Sequence, residues 1–232
     1  MKVKPFNAIL ITSMKKFLSA LLAAVLLLSA TACAAHEPVL PPVRESQYPT
    51  HSILAKYYDF QEAFQEADVV AHIRIGDWLG EDIDRNATLF QAETVDVFKG
   101  TLPDTFVYDQ FGCSRGTEAG YPLYSYGNEI LSFLHKETLD GTEVYLNLGV
   151  HTTEFLVIQA DSGDYYCDRN MGIGAGLDCP VMDRRYREDV LAKAVEQYPL
   201  PLYTHEHALI FDKQTTDQWM RQFAREVIAN EG

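Results

Sequence analysis

Positive charge is scarce in this chain of 232 residues: 19 Lys and Arg stand against 33 Asp and Glu, a formal net of −14. That balance excludes a nucleic-acid binder, which needs a basic face to displace counterions. Cysteine is sparse too, four in all, and no Cys-x-x-Cys occurs. Neither a redox pair nor a zinc knuckle is therefore encoded. His-Glu-x-x-His and Gly-x-x-x-x-Gly-Lys-Ser/Thr are both missing, which removes the zincin and the P-loop. No apolar run reaches the roughly 20 residues a spanning helix needs. What remains is a composition 47% hydrophobic and 22% charged. That is ordinary for a globular protein and too apolar for a mostly disordered one.

The amino end reads as an export signal. Residues 1–33 hold Lys2, Lys4, Lys15 and Lys16 and no acid, and the apolar stretch Phe17 to Leu28 follows. A basic n-region, a short apolar h-region and then small residues make a secretory leader. Met14 offers a second start, since Met14-Lys15-Lys16 and the stretch after it form a complete n-region and h-region. The leader ends Ser29-Ala30-Thr31-Ala32-Cys33, which resembles the lipobox of bacterial lipoproteins. The match lies at Ala32 and Cys33; Ala30 stands where that family usually has Leu. The resemblance implies acylation of Cys33 and anchoring at the membrane. The alternative is plain secretion after an Ala-x-Ala triplet. Removing the four leader lysines leaves 15 basic and 33 acidic residues, a net of −18. Such a surface repels anionic lipid, so membrane contact is expected through the anchor alone. Residues 34–50 carry four Pro without apolar periodicity and are read as a tether, or as an arm lying on the fold.

The body is read as mainly β with flanking helices, an α+β class. Ile53, Tyr57, Phe60 and Phe64 recur at helical spacing over 52–67. Strands are expected at 69–75, 88–98, 105–111, 128–135, 143–148 and 153–159, with turns at 80–86 and 161–164. Short strands at this spacing suggest a barrel or sandwich, and closure favours the barrel because it leaves no exposed edge. At the carboxyl end, Tyr186, Val190, Leu191, Ala194 and Val195 share a helical face, and Pro199 and Pro201 stop that helix. A short strand over 208–211 precedes a second helix, 216–230, with Trp219, Phe223 and Val227 at four-residue steps and Thr215 or Thr216 as cap. The expected division is leader 1–33, tether 34–50, barrel 51–182 and helical segment 183–232.

The order of these strands resembles a known module. Ala67-Asp68 before an apolar strand, Val95 to Phe98 closed by Lys99-Gly100, and Gly127-Asn128-Glu129 before Ile130 to Leu134 are its elements. The series resembles the TIMP/netrin-like OB-fold modules of secreted bacterial proteins, over about residues 60–160. That resemblance implies an OB-like closed five-stranded Greek-key barrel and little about activity. Inhibitors of that superfamily chelate a catalytic zinc through an unmodified amino-terminal Cys. Here Cys33 is expected to be acylated, so no inhibitory residue carries over.

Candidate chemistry is thin. With Cys33 lipidated, three cysteines remain; Cys167 and Cys179 flank a Gly-rich loop and are the favoured disulfide, with Cys113 to either of them as the alternative. Gly172-Ile173-Gly174-Ala175-Gly176 in that loop lacks the strand–helix context of a dinucleotide site. His205 and His207 would share a strand face and are the best, though weak, metal candidates; the bland reading is a solvated pair. Glu81, Asp82 and Asp84, and Asp161, Asp164 and Asp168, are acidic turns without EF-hand spacing. Tyr121, Tyr124 and Tyr126 crowd one loop and form a possible recognition surface, since Tyr offers area and a hydrogen bond with few rotors; packing over the barrel end is the alternative. No cofactor is expected. The reading is an anchored lipoprotein of the bacterial cell envelope, a non-catalytic binding module whose partner is an extracellular or envelope protein. The alternatives are an exported metal-dependent hydrolase and a protease inhibitor.

Overall fold

A computed structural model of the chain describes residues 58, 60–117, 122–149, 153–168, 187–198 and 209–231. The leader, the tether, Cys33, Tyr121, Cys179, His205 and His207 lie outside the described residues. The chain divides into Met1–Glu37 and Pro38–Gly232, and every described residue lies in the second unit. Among the described residues no helix is long and apolar enough to cross a membrane.

The elements in chain order are α1 (Phe60–Glu66), β1 (Val69–Asp82), β2 (Ala87–Lys99), β3 (Thr105–Phe111), β4 (Glu129–Leu139), β5 (Thr142–Asn147), β6 (Glu154–Ala160), β7 (Gly163–Asp168), α2 (Arg187–Gln197), β8 (Ile210–Asp212) and α3 (Lys213–Glu231). The class is α+β, mostly sheet. The strands run β1-β2-β3-β5-β4-β6-β7-β8, and β1 also pairs with β4. Five strands thus make a closed circuit of pairings, β1-β2-β3-β5-β4 and back to β1. Within it β3 and β5 are parallel, Val107 to Asp109 beside Val144 to Leu146. The order is not a simple meander, because β5 takes the place beside β3 that a meander would give to β4.

Period-two patterning builds two cores, one on each face. Val69, Ala71, Ile73 and Ile75 of β1 enter one cluster with Phe90, Tyr108, Ile130, Leu156 and Ile158. Val70, Leu131, Phe133, Phe155 and Tyr166 enter the other. Val190, Leu191 and Ala194 of α2 close the first core; Val195, expected on the same face, is 41% exposed. The second core is roofed by α1 and α3. Phe60 meets Trp219 edge-on at 4.9 Å, Phe64 meets Phe223 at 5.2 Å, and Met220 is fully buried.

Three expectations need correction. The segment 80–82 is strand: β1 continues past Ile75 to Asp82 by register shifts against β2, and only 83–86 turn. The segment 161–164 is not the end of the sheet. Asp161-Ser162 is a two-residue hairpin into β7, which the sequence hides because Tyr165 and Cys167 face one core and Tyr166 the other. The second carboxyl-terminal helix starts three residues early. Asp212 caps it by accepting from Thr215 N–H at 2.8 Å, and Thr216 Oγ1 donates back to the Asp212 carbonyl at 2.7 Å. The segment 183–232 also supplies β8 to the sheet, paired with β7 at Tyr165 to Cys167.

Candidate functional site

The Tyr-rich loop divides between core and surface. Tyr124 is 2% exposed and belongs to the first core, so it is not part of a recognition surface. Its backbone N–H donates to Gln110 Oε1 at 2.9 Å, and its hydroxyl to Glu154 Oε2 at 2.9 Å. Tyr126 is 46% exposed. The lack of strand geometry explains the split: residues two apart share a face in a strand, but this segment is a turn, with Gly127 at φ 84°.

Tyr126 rims a cleft of about 330 Å³ lined also by Gly127, Asn128, Glu129, Val157, Gln159, Gln197 and Tyr198. The cleft opens where the β4–β6 ladder stops, at the pair Ile130–Leu156. Past it, residues at the carboxyl end of α2 satisfy the strand backbones. The Tyr198 hydroxyl lies 2.6 Å from the Glu129 carbonyl and 3.2 Å from that of Val157, and accepts from Glu129 N–H at 3.3 Å. The Gln197 amide donates to the Gln159 carbonyl at 2.9 Å and accepts from Gln159 N–H at 3.2 Å. Buried backbone polar groups need partners, and a helix end supplies them here in place of a strand. Asn128 Oδ1 accepts from Ser125 N–H at 2.8 Å.

Among the described residues Glu129 is the one carboxylate lining the cleft, and both of its oxygens are engaged. Arg74 grips Oε1 with Nε at 3.0 Å and Nη2 at 2.8 Å, and His72 Nε2 is 2.8 Å from Oε2. Burial alone would raise the Glu129 pKa; the hydrogen bonds and charges of Arg74 and His72 outweigh it and hold it below the usual range. His72 is lowered by its burial first and by the Lys213 charge second, against the pull of Glu129. The folded state therefore binds the His72 proton less readily than the unfolded chain. Below about pH 6.5 the unfolded state takes up more protons, so stability falls as pH falls. Urea unfolding between pH 7.5 and 5.5 should show this decline, and His72→Gln should flatten it. An equal slope in both proteins would remove His72 as its source.

A second feature lies inside the first core. Glu154, 1% exposed, accepts from the Tyr108 hydroxyl on Oε1 and from Tyr124 on Oε2. Burial, and then the Glu154 charge, push the Tyr108 phenol well above its usual pKa. A cavity of about 100 Å³ adjoins them, lined also by Asn147 and by Asp109 with its partner Arg85, 2.5 Å away. Burial raises the Asp109 pKa, and Arg85 opposes that rise. Of these polar residues only Tyr124 was singled out from the sequence, and for a different role. The one signal available was a lone Glu opening an apolar strand, Glu154-Phe155-Leu156-Val157-Ile158.

Two of the acidic turn residues are engaged within the fold. Glu81 accepts from Ser114 N–H at 2.7 Å and from its hydroxyl at 2.6 Å. Asp82 Oδ1 accepts from the N–H groups of Asp84 and Arg85, an Asx turn at the hairpin tip. Among the described residues no group of three or more His, Cys, Asp or Glu could hold a metal ion. Cys113 and Cys167 are both buried and are not joined to each other. The favoured bridge needs Cys179, and the metal candidates His205 and His207 likewise fall outside the described residues. No family model, curated protein or solved structure matches the chain.

Proposed function

We propose that this protein is an exported lipoprotein, anchored by acyl chains on Cys33, whose sheet domain is a non-catalytic binding module of the bacterial cell envelope. The closed circuit of five strands with a parallel β3–β5 contact supports reading the sheet as an OB-type Greek-key barrel, a frame that carries ligand sites on its faces and loops. The observation that carries the binding reading is the cleft at Tyr126. It is concave, and an exposed aromatic ring stands beside side-chain amides. Small-ligand sites pair apolar or aromatic surface with a few placed polar groups, and in this cleft the polar groups predominate.

One observation favours the enzyme alternative. Asp109 and Glu154 line the same cavity, and paired carboxylates in distinct environments are the raw material of acid–base chemistry. At about 100 Å³ that cavity is well under the roughly 300 Å³ at which ligand pockets begin, which leaves the cleft as the better site.

Acyl chains hold a protein at a bilayer through about 0.8 kcal/mol per buried methylene. The full-length protein should therefore partition to the membrane fraction, with intact mass showing acylation at Cys33 and loss of the leader. Cys33→Ser should shift it to the soluble fraction. An unacylated mature form, or membrane retention of Cys33→Ser, would overturn the anchor.

A further inference from the structure

We propose that the cleft beside Tyr126 binds an uncharged, hydroxyl-rich ligand with one apolar face, a neutral saccharide of one or two pyranose rings. The inference rests on the binding-module reading and names the ligand class for that site. The lining decides it by elimination. Among the described residues no Lys or Arg lines the cleft, and the chain carries a net −14, so an anionic ligand meets no counter-charge from them. A cationic ligand would need a carboxylate to pair with. Both oxygens of Glu129 are already held by Arg74 and His72. An extended peptide would add to the open edge of β6, but the Val157 carbonyl and both backbone groups of Gln159 are taken by Tyr198 and Gln197.

The remaining groups match a sugar. The exposed Tyr126 ring offers a flat apolar face with a hydroxyl at its tip. Side-chain amides donate and accept at once, as vicinal hydroxyls do. Asn128 spends its oxygen on Ser125, so it presents N–H donors, while Gln159 projects an exposed amide. An added Cβ on Gly127 would meet nothing within 4 Å, so the rim beside Tyr126 is unobstructed. A volume of about 330 Å³ sits at the small end of ligand pockets.

The test is saturation-transfer NMR on the full-length protein, held in a detergent without a sugar headgroup. The probes are cellobiose, maltose and N,N′-diacetylchitobiose, with digalacturonate and N-acetyl-trialanine amide as charged and peptide comparisons. At least one neutral disaccharide should bind saturably. Tyr126→Ala should weaken that binding tenfold or more, Gln159→Ala should weaken it less, and digalacturonate should not bind. Both substituted side chains are exposed, so folding is not at stake. Failure of all three neutral disaccharides, or binding unchanged by Tyr126→Ala, overturns the saccharide assignment. If the peptide or digalacturonate binds and Tyr126→Ala abolishes it, the saccharide class falls while the binding reading stands. If no probe of any class binds, the cleft loses both readings.

Discussion

Replacing Glu154 with Ala lowers the stability of the domain by about 3–5 kcal/mol. The substitution withdraws the acceptor from two buried tyrosine hydroxyls, Tyr108 and Tyr124. Leaving a buried polar group without its bond costs about 1–3 kcal/mol for each. It also enlarges a cavity already present beside Glu154, and each lost core contact adds to the cost. For a domain of this size 1 kcal/mol moves the melting midpoint by roughly 2–4 °C, so a drop of about 6–20 °C is expected. Glu154→Gln costs less, about 1–2 kcal/mol, because the amide keeps one acceptor oxygen and the side-chain volume. The decisive comparison is apolar: Glu154→Leu combined with Tyr108→Phe and Tyr124→Phe should recover most of the loss, since it removes these two donors together with their acceptor. Urea unfolding of the single and combined variants measures all of this. A Glu154→Ala protein within 1 kcal/mol of the parent would mean that these hydrogen bonds are not what holds the core.

The pattern along the chain carried the local elements further than the site. Alternation in Val69 to Ile75 places odd and even residues on opposite faces, and both faces are occupied as the period requires. Asp140-Gly141 between β4 and β5 is a two-residue hairpin with positive φ at both positions, a turn written in its dipeptide. Where both faces of a strand are buried, alternation vanishes, and β7 disappears from view with it. Strand order was also out of reach, because the β1–β4 pairing depends on partners some 60 residues apart. The cleft was half visible. Tyr126 stood out as one aromatic in a cluster, but Gln159, Gln197 and Tyr198 join it only through the place where two strands part. No residue of that group is unusual in sequence, so only the folded geometry assembles them.

Gly100→Ala disrupts the junction of α1, β1 and β2 and costs about 3 kcal/mol or more. Gly100 has φ 75°, a conformation that side chains resist at a cost of about 1–2 kcal/mol. Space is the larger obstacle. A Cβ there would sit 2.3 Å from the Asp68 carbonyl oxygen and 3.2 Å from a Val69 methyl. Asp68 cannot retreat easily. Its N–H donates to the Leu134 carbonyl at 2.9 Å, and its carboxylate holds Lys136 N–H at 2.9 Å and His135 Nδ1 at 2.8 Å. The preceding Lys99 fastens the same junction from the other side, donating at 2.7 Å to the carbonyls of Phe64, Gln65 and Ala67 at the end of α1. A cation at a helix carboxyl end satisfies orphan carbonyls and the helix dipole together. The Ala67-Asp68 and Lys99-Gly100 elements noted in the sequence are therefore two halves of one contact. Gly141→Ala is the control: φ is 81° but nothing lies within 4 Å of an added Cβ, so only the conformational cost of about 1–2 kcal/mol applies. Thermal and urea unfolding of the two variants should separate them by at least about 1 kcal/mol. Equal losses would show that backbone strain alone, and not the close approach of Asp68, demands glycine at position 100.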